Sequence, residues 1–308
     1  MKFTFNKQFM VLMFLLLNCF ASYAANENLI TKQITLKLTE AGTLPNKIAS
    51  SKKNLVTNLK IIGEINGTDL RFIREMAGSD IDGNSTSGNL SVLDLSEARF
   101  VEGGDIYYRE YAYGGYHIHF ASNDIIGVGA FKNCSSLTSV IIPSSVTEIG
   151  GYAFSGCSSL TSVNISSGVT VIGESVFQGC SSLTSVNIPS SVKSIEKRAF
   201  YDCSGLRSIY VYAETVPNTV AGAFEGCDSK NCTLYVPKGT YDAYWLSEWG
   251  YFENIVEFDA TNIRNIVAEP EVQENARYAV NGQRLTAPVK GINLVKYNNG
   301  RVKKEIVK

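Results

Sequence analysis

Among the residue types that can act as nucleophiles or metal ligands, cysteine has the most regular spacing in this 308-residue sequence. Four of its seven cysteines recur every 23 residues, namely Cys134, Cys157, Cys180 and Cys203. Outside the cytosol cysteines tend to pair, but equivalent positions of stacked repeats have parallel Cα–Cβ bonds, which is the wrong geometry for a bridge. The spacing therefore predicts a row of buried thiols that act as small apolar groups. Cys227 arrives one residue late, and its pairing with Cys232 remains open as an alternative.

The two histidines, His117 and His119, are the second candidate for chemistry. An H-x-H pair near Asp105 and Glu110 offers ligand types that bind zinc. A thiol zinc site needs paired spacings such as C-x-x-C, which the sequence lacks. We therefore interpret the histidines as solvated, and we predict no metal and no cofactor.

Catalytic signatures are missing from the sequence. A Ser/His/Asp arrangement would depend on these two histidines, and neither a G-x-S-x-G elbow nor a phosphate-binding glycine loop is present. The net charge of -1 gives no electrostatic reason to expect binding to nucleic acid or to an anionic membrane surface. These observations favour a protein that is not an enzyme and has no nucleic-acid partner.

The elements that position these residues are copies of a 23-residue unit. Its phenylalanines recur without error at Phe131, Phe154, Phe177 and Phe200, and Phe224 follows one residue late. Such self-similarity predicts a solenoid, because one unit cannot bury its own apolar face. The predicted inward positions are those equivalent to Leu137, Val140, Ile142, Val146, Ile149, Phe154 and Cys157.

Each unit also contains a short predicted strand. Val140 and Ile142 are two residues apart, so both lie on the buried face, and stacked copies should form a parallel sheet. The residues between them should point outward as a candidate binding row, namely Ile141, Asn164, Asn187, Tyr210 and Tyr235, with Ser139, Ser162, Ser185 and Ser208 alongside.

A tyrosine-rich stretch at residues 102–120 interrupts the repeats. Its aromatic residues follow neither a period of 2 nor one of 3.6, so we predict an insertion loop. Insertions in solenoids often collect on the binding face. The candidate binding residues of this loop are Tyr107, Tyr108, Arg109, Tyr111, Tyr113, Tyr116, His117 and His119.

The N-terminus is predicted to be a signal peptide at residues 1–24. A basic start precedes an apolar run at 9–17, and Ser22-Tyr-Ala24 is a small-residue cleavage signal. The run is too short to span a bilayer, so no transmembrane span is expected. Lipid anchoring at Cys19 is the alternative to release at Ala24.

Residues 25–125 are predicted to hold an N-terminal cap, irregular coils and the tyrosine-rich insertion. Alternating or apolar runs predict strands at 34–38, 58–62 and 92–96. A short helix between the last two strands should be capped by Thr68 or Asp69.

Three segments complete the predicted organisation. Residues 126–258 contain the regular repeats and an aromatic C-terminal cap, in which Tyr241, Tyr244, Trp245, Trp249, Tyr251 and Phe252 are expected to cover the last coil. Residues 259–275 are predicted to be a linker. Residues 276–308 should form a small antiparallel β unit, with Asn299-Gly300 as a hairpin turn.

The repeat wording A-F-x-x-C-S-S-L-T-S-V-x-I-P-S-S-V-x-x-I-G, found at 130–150, closely resembles the BspA-like (Treponema pallidum type) bacterial leucine-rich repeats. The resemblance is strong over 126–237. With Asn66-Gly-Thr-Asp69 and Val92-Leu-Asp-Leu95-Ser96, which are similar to the N-terminal region of Bacteroidetes members, it extends to about 30–258. It implies a β-rich, right-handed leucine-rich repeat solenoid with a parallel sheet on its concave face, displayed on the bacterial surface.

The tail is similar to C-terminal sorting domains of Bacteroidetes type IX secretion, although it is shorter. The motifs that carry this resemblance are Tyr278-Ala-Val-Asn281-Gly282 and Val302-Lys-Lys-Glu-Ile-Val-Lys308. The resemblance implies a sorting role for residues 276–308.

We therefore predict an exported or cell-surface, non-catalytic binding module. The resemblance implies adhesion to a host matrix protein, a glycan or other bacteria. The alternative is a structural envelope or assembly protein without an external ligand, and a cryptic enzyme is the third hypothesis.

Overall fold

The computed structural model describes residues 29–112, 114–259, 274–279, 283–285, 287–297 and 302–307. The predicted signal peptide with Cys19 and the candidate residue Tyr113 lie outside these ranges. The chain divides into two compact units, of which the first ends at Phe258 and the second begins at Asp259.

The first unit opens with two irregular coils. Their elements are β1 (Ile34–Lys37), α1 (Leu44–Lys47), a 3-10 turn (Lys53–Leu55), β2 (Asn58–Ile65), α2 (Gly67–Met76) and β3 (Val92–Phe100). Strands β2 and β3 are longer than the sequence predicted, because their parallel pairing continues past an irregularity near Ile62 as far as Ile65 and Phe100.

Helix α2 begins after Asn66, so the prediction of Thr68 or Asp69 as its cap was wrong. The Asn66 side chain accepts a hydrogen bond from the Thr68 amide, and the Asp69 carboxylate accepts one from the Asn66 amide. This reciprocal pair is a capping box, in which an acidic residue belongs at the third helical position. Asp69 also accepts the amide of Leu44, which fastens α1 to α2.

Residues 103–121 form an antiparallel hairpin of β4 (Gly103–Ala112) and β5 (Gly115–Ala121). The prediction of an insertion loop was wrong in its conformation, because both segments are strands. Its two faces both contain aromatic residues, so the usual alternation of apolar and polar residues is absent from the sequence.

The regular coils supply two strands each, one longer and one of two residues. In chain order these are β6 (Ile125–Ile126), β7 (Ser139–Ile141), β8 (Glu148–Ile149), β9 (Ser162–Asn164), β10 (Val171–Ile172), β11 (Ser185–Ile188), β12 (Ser194–Ile195), β13 (Ser208–Val211), β14 (Asn218–Thr219) and β15 (Thr233–Pro237). The cap then contributes α3 (Tyr241–Trp245), a 3-10 turn (Glu248–Tyr251) and β16 (Asn254–Phe258).

These strands form two parallel sheets. The larger has nine strands in the order β1-β2-β3-β7-β9-β11-β13-β15-β16, and the smaller has five in the order β14-β12-β10-β8-β6. Residues 23 apart pair across both sheets, as with Val140 and Val163 or Ile149 and Ile172. The repeat solenoid with a parallel sheet is thereby confirmed, and the five-stranded second sheet is an addition that the sequence did not indicate.

The core is built from the predicted inward positions. Leu137, Val146, Ile149, Phe154 and Cys157 are all completely buried. The phenylalanines form one continuous stack, in which Phe131, Phe154, Phe177, Phe200 and Phe224 follow each other at centroid distances of 5.1–5.5 Å. Each coil therefore presents the same apolar surface to its neighbours.

The cysteines next to this stack are buried free thiols, as predicted. The thiols of Cys157, Cys180, Cys203 and Cys227 each donate to the carbonyl of the phenylalanine in the preceding coil, for example Cys157 to Phe131 at 3.0 Å and Cys203 to Phe177 at 3.1 Å. Cys227 and Cys232 are buried free thiols, so the structure does not contain the alternative disulfide. The four repeat thiols from Cys157 to Cys227 are thus hydrogen-bonded parts of the core.

We expect the six described cysteines to resist alkylation in the native protein. Burial raises the pKa of Cys134 to about 11 and that of Cys180 to about 12. The reactive thiolate is therefore almost absent at pH 8. Iodoacetamide treatment followed by peptide mapping should modify these residues only in denaturant. Modification of Cys157 or Cys180 without denaturant would contradict the buried arrangement.

Two positions in each regular coil adopt left-handed backbone. One directly precedes the cysteine and is occupied by Asn133, Gly156, Gly179, Asp202 and Gly226, with φ between 55° and 83°. The other precedes the Ala-Phe or Val-Phe pair, and there Tyr152 and Arg198 have φ of 59° and 56°. Both positions lie in the turn segment between the two-residue strand of one sheet and the next longer strand of the other.

Only some of the aromatic residues predicted to cover the last coil do so. Tyr244, Trp249 and Phe252 are completely buried, and Trp249 lies 4.7 Å from Phe224. Tyr241 and Trp245 are instead 40% and 48% exposed and stack on each other. No helix among the described residues is long and apolar enough to cross a membrane.

The second unit is a four-stranded antiparallel sheet in the order β18-β17-β19-β20. Its strands are β17 (Glu274–Ala279), β18 (Arg284–Leu285), β19 (Gly291–Tyr297) and β20 (Val302–Val307). β19 and β20 pair as predicted, whereas the turn at Asn299-Gly300 and linker residues 260–273 lie outside the described residues.

Candidate binding surfaces

The predicted outward residues form one in-register row across the large sheet. Ile141 pairs with Asn164, Asn164 with Asn187, Asn187 with Tyr210, and Tyr210 with Tyr235. We call these five residues the strand row. Asn164 and Asn187 are exposed, and the other three are half-buried. The row is continued by Asp94 on one side and Val256 on the other.

One end of the strand row is aromatic. The rings of Tyr210 and Tyr235 stack at 4.4 Å with planes only 6° apart. Phe258 meets Tyr210 and Tyr212 edge-on at 6.1 and 5.5 Å. Burial, followed by the neighbouring Tyr235, raises the pKa of Tyr210, so the hydroxyl stays neutral. Sequence reasoning missed Tyr212 and Phe258, although Tyr212 follows Tyr210 at the spacing of a shared strand face.

The opposite end of the row is charged and internally paired. Lys60 lies 3.4 Å from the Asp94 carboxylate and 2.7 Å from that of Glu97. The hydrogen bond with Glu97 is the main reason that the pKa of Lys60 is raised. Charge is thus confined to the first irregular strands, while the middle of the row is neutral.

At the base of the hairpin both faces are covered. Tyr107 and Tyr108, predicted as binding residues, are only 1% and 3% exposed, so neither side chain is part of the exposed surface. The Tyr107 hydroxyl donates to the Val128 carbonyl, and the Tyr108 ring lies 4.9 Å from the Arg74 guanidinium. These tyrosines anchor the hairpin to the solenoid.

Toward its tip the hairpin has an exposed apolar face. Tyr111 and Tyr116 are each 68% exposed and meet edge-to-face at 5.3 Å. Ile118 and Phe120 on β5 continue this face at 51% and 50% exposure. We call these four residues the hairpin face. Ile118 and Phe120 were not among the candidates predicted from the sequence, although they alternate with His117 and His119.

Arg109 borders the hairpin face. Its guanidinium forms an ion pair with Asp82 and lies 5.5 Å from the Tyr116 ring centre. The ion pair raises the pKa of Arg109 and lowers that of Asp82. Arg109 is therefore held in place beside the exposed tyrosines.

The histidines lie on the other side of the hairpin. His119 stacks on Tyr108 at 5.6 Å, and its Nε2 is 3.9 Å from Glu110 Oε1. Burial lowers the pKa of His119, while the facing Glu110 partly opposes this and Lys132 adds to it. His117 Nε2 lies 3.1 Å from the Ala112 carbonyl. Within the described residues, no three His, Cys, Asp or Glu side chains are grouped to hold a metal ion.

An open hollow of about 540 Å³ lies near the cap, beside β14. Its lining residues are Val216, Pro217, Asn218, Thr219, Leu246, Ser247 and Glu248, of which only the glutamate has an ionisable side chain. It therefore offers no acid–base pair.

Three solved structures resemble parts of this chain. A T. pallidum leucine-rich repeat protein is 26% identical over 44% of this chain and 62% of its own, with a TM-score of 0.36. A leucine-rich cell surface protein from Faecalibacterium prausnitzii A2-165 is 22% identical over 68% of this chain and 55% of its own, with a TM-score of 0.32. A leucine-rich repeat protein from Bacteroides ovatus ATCC 8483 is 20% identical over 46% and 58%, with a TM-score of 0.27.

This chain thus spans less than two thirds of each of these structures. A comparison with curated proteins gave no match. The BspA-type leucine-rich repeat family model matches residues 118–240 in six copies. With the two parallel sheets and the phenylalanine stack, this match agrees with the resemblance drawn from the repeat wording. The repeats at residues 118–240 of this chain are therefore BspA-type leucine-rich repeats.

Proposed function

We propose that this protein is an exported, non-catalytic binding module of the cell surface, which attaches to a protein on a host matrix or on another bacterium. The observation that carries this proposal is the hairpin face, in which Tyr111 and Tyr116 are each 68% exposed. Large apolar side chains that stay exposed in neighbouring positions mark interaction sites. The leader pattern at residues 1–24 supports export.

The composition of the hairpin face suits a protein partner. Tyrosine provides a large contact area with little loss of side-chain entropy, and arginine is the other side chain enriched at binding hot spots. Arg109 is already oriented by Asp82, so its ordering costs little on binding. Ile118 and Phe120 would provide the apolar centre of the contact.

A double substitution at the tip tests this function. We expect Tyr111→Ser with Tyr116→Ser to weaken binding by at least about tenfold, because two exposed aromatic contacts are lost. The measurement is biolayer interferometry of the full chain against purified extracellular-matrix proteins and intact bacterial cells. The matched control is Tyr241→Ser, which removes a tyrosine 40% exposed on the cap.

Equal binding by the double variant and the control would refute the role of the hairpin face. Binding confined to envelope components of the producing cell would instead favour the structural alternative.

A further inference from the structure

The aromatic stack on the strand row stops abruptly at Tyr210. Its distance of 4.4 Å to Tyr235 is close to the separation of about 4.8 Å between neighbouring strands, so the stack runs across the strands. Tyr235 covers one face of the Tyr210 ring. The other face is therefore directed along the sheet toward Asn187, the in-register neighbour of Tyr210 on β11.

Two amides form a floor beside this ring. Asn187 and Asn164 are in register and exposed, and neither side chain has a hydrogen-bond partner among the described residues. At one strand spacing each, the floor is roughly 10 Å wide, and Ile141 bounds its far side. We call Asn164, Asn187 and Tyr210 the amide shelf.

The surroundings of the amide shelf are polar but uncharged. Ser139, Ser162, Ser185 and Ser208 run alongside it in the same strands, two residues before the row. The nearest charged members of the row are Lys60 and Asp94, which lie beyond Ile141 and are paired with each other. An ionic ligand would find no counter-charge over Asn187.

We propose that the amide shelf binds a neutral glycan, with one pyranose ring over Asn187 and against the free face of Tyr210. The C–H face of a pyranose is apolar with a slight positive charge, which suits the electron-rich face of an aromatic ring. Each amide offers both a donor and an acceptor to the sugar hydroxyls. Asn187 has no aromatic ring to continue the stack beyond Tyr210, and the sugar ring takes that position.

An aromatic side chain of a partner protein is a poorer occupant. It would stack on Tyr210 equally well, but it would cover the two amides without giving them hydrogen-bond partners. Burial of unpaired polar groups costs about 1–3 kcal/mol each. A sugar ring can stack on Tyr210 through its C–H face and at the same time give hydrogen-bond partners to both amides.

The test is isothermal titration calorimetry of the full chain with neutral oligosaccharides of glucose, galactose, mannose and N-acetylglucosamine, and with oligogalacturonate as the charged comparison. We expect binding of a neutral oligosaccharide that does not weaken as salt is raised, because no ion pair is involved. Asn187→Ala and Tyr210→Ala should each weaken it by about tenfold or more. Asn218→Ala, which alters an exposed amide on the other sheet, is the control.

Each of the following results would overturn the proposal. The first is that no neutral oligosaccharide binds, the second is a preference for oligogalacturonate, and the third is unchanged binding by Asn187→Ala. Asn187 is exposed, so its substitution is not expected to cause misfolding. Binding of an aromatic peptide in place of a sugar would equally overturn it. The proposal is independent of the hairpin face, since the Tyr111→Ser, Tyr116→Ser variant should retain oligosaccharide binding.

Discussion

Replacement of Phe177 by alanine should lower the free energy of unfolding by about 3–5 kcal/mol. Phe177 is completely buried and stacks on Phe154 at 5.5 Å and on Phe200 at 5.2 Å. Its removal leaves a cavity that opens onto both neighbouring coils. In a repeat protein stability comes from each coil and from its interfaces with its neighbours, so this single substitution weakens two interfaces.

Urea unfolding followed by circular dichroism measures this loss. Phe177→Leu retains much of the apolar volume and should cost less than the alanine variant. Ser181→Ala alters an exposed residue of the same coil and should stay within about 0.5 kcal/mol of the parent. A Phe177→Ala variant as stable as Ser181→Ala would show that the stack contributes little.

Replacement of Arg74 by methionine should cost at least about 3 kcal/mol, although methionine has a similar length. The Arg74 guanidinium is completely buried and donates to the carbonyls of Gly129, Ala130 and Asp80 at 2.6–3.2 Å. Without it these carbonyls lose a donor inside the protein, at about 1–3 kcal/mol each. The contact with the Tyr108 ring is also lost, so the base of the hairpin loosens.

Two readouts apply to the Arg74→Met variant. Urea unfolding gives the global loss, and limited proteolysis reports faster cleavage within residues 103–121. The matched control is Arg71→Met on the same helix, whose side chain is 43% exposed and only 3.8 Å from Glu75. Exposed ion pairs of this kind are worth less than about 1 kcal/mol. Equal effects of the two substitutions would argue against an anchoring role for Arg74.

The repeats are the part of the fold that sequence reasoning predicted well. A fixed period puts equivalent residues into equivalent surroundings, so one correct assignment of an inward residue such as Leu137 holds for every coil. The same logic placed the strand row. The left-handed position before each cysteine also has a signal in the sequence, because it is occupied by Gly, Asn or Asp, which tolerate positive φ. Tyr152 and Arg198 at the second such position carry no signal of this kind.

The hairpin could not be predicted, because burial there depends on position along the hairpin and not on residue type. Tyr107 and Tyr111 have the same side chain and lie on the same strand, yet they are 1% and 68% exposed. Near the base, α2 and the first regular coil supply Arg74 and Val128 as partners. The burial of each hairpin side chain is decided by contacts between segments about 20 to 60 residues apart in the chain. A local sequence pattern carries no information on such contacts.

The fixed 23-residue period makes the number of coils adjustable. Loss or duplication of one period would remove or add one strand in each parallel sheet, while the coils on either side would still meet through the same ring stack and thiol–carbonyl bond. A duplicated Asn187 coil would widen the floor of the amide shelf by about 4.8 Å. Loss or gain of a whole coil is therefore a route by which descendants of this protein can change the length of ligand they accommodate without redesigning the core.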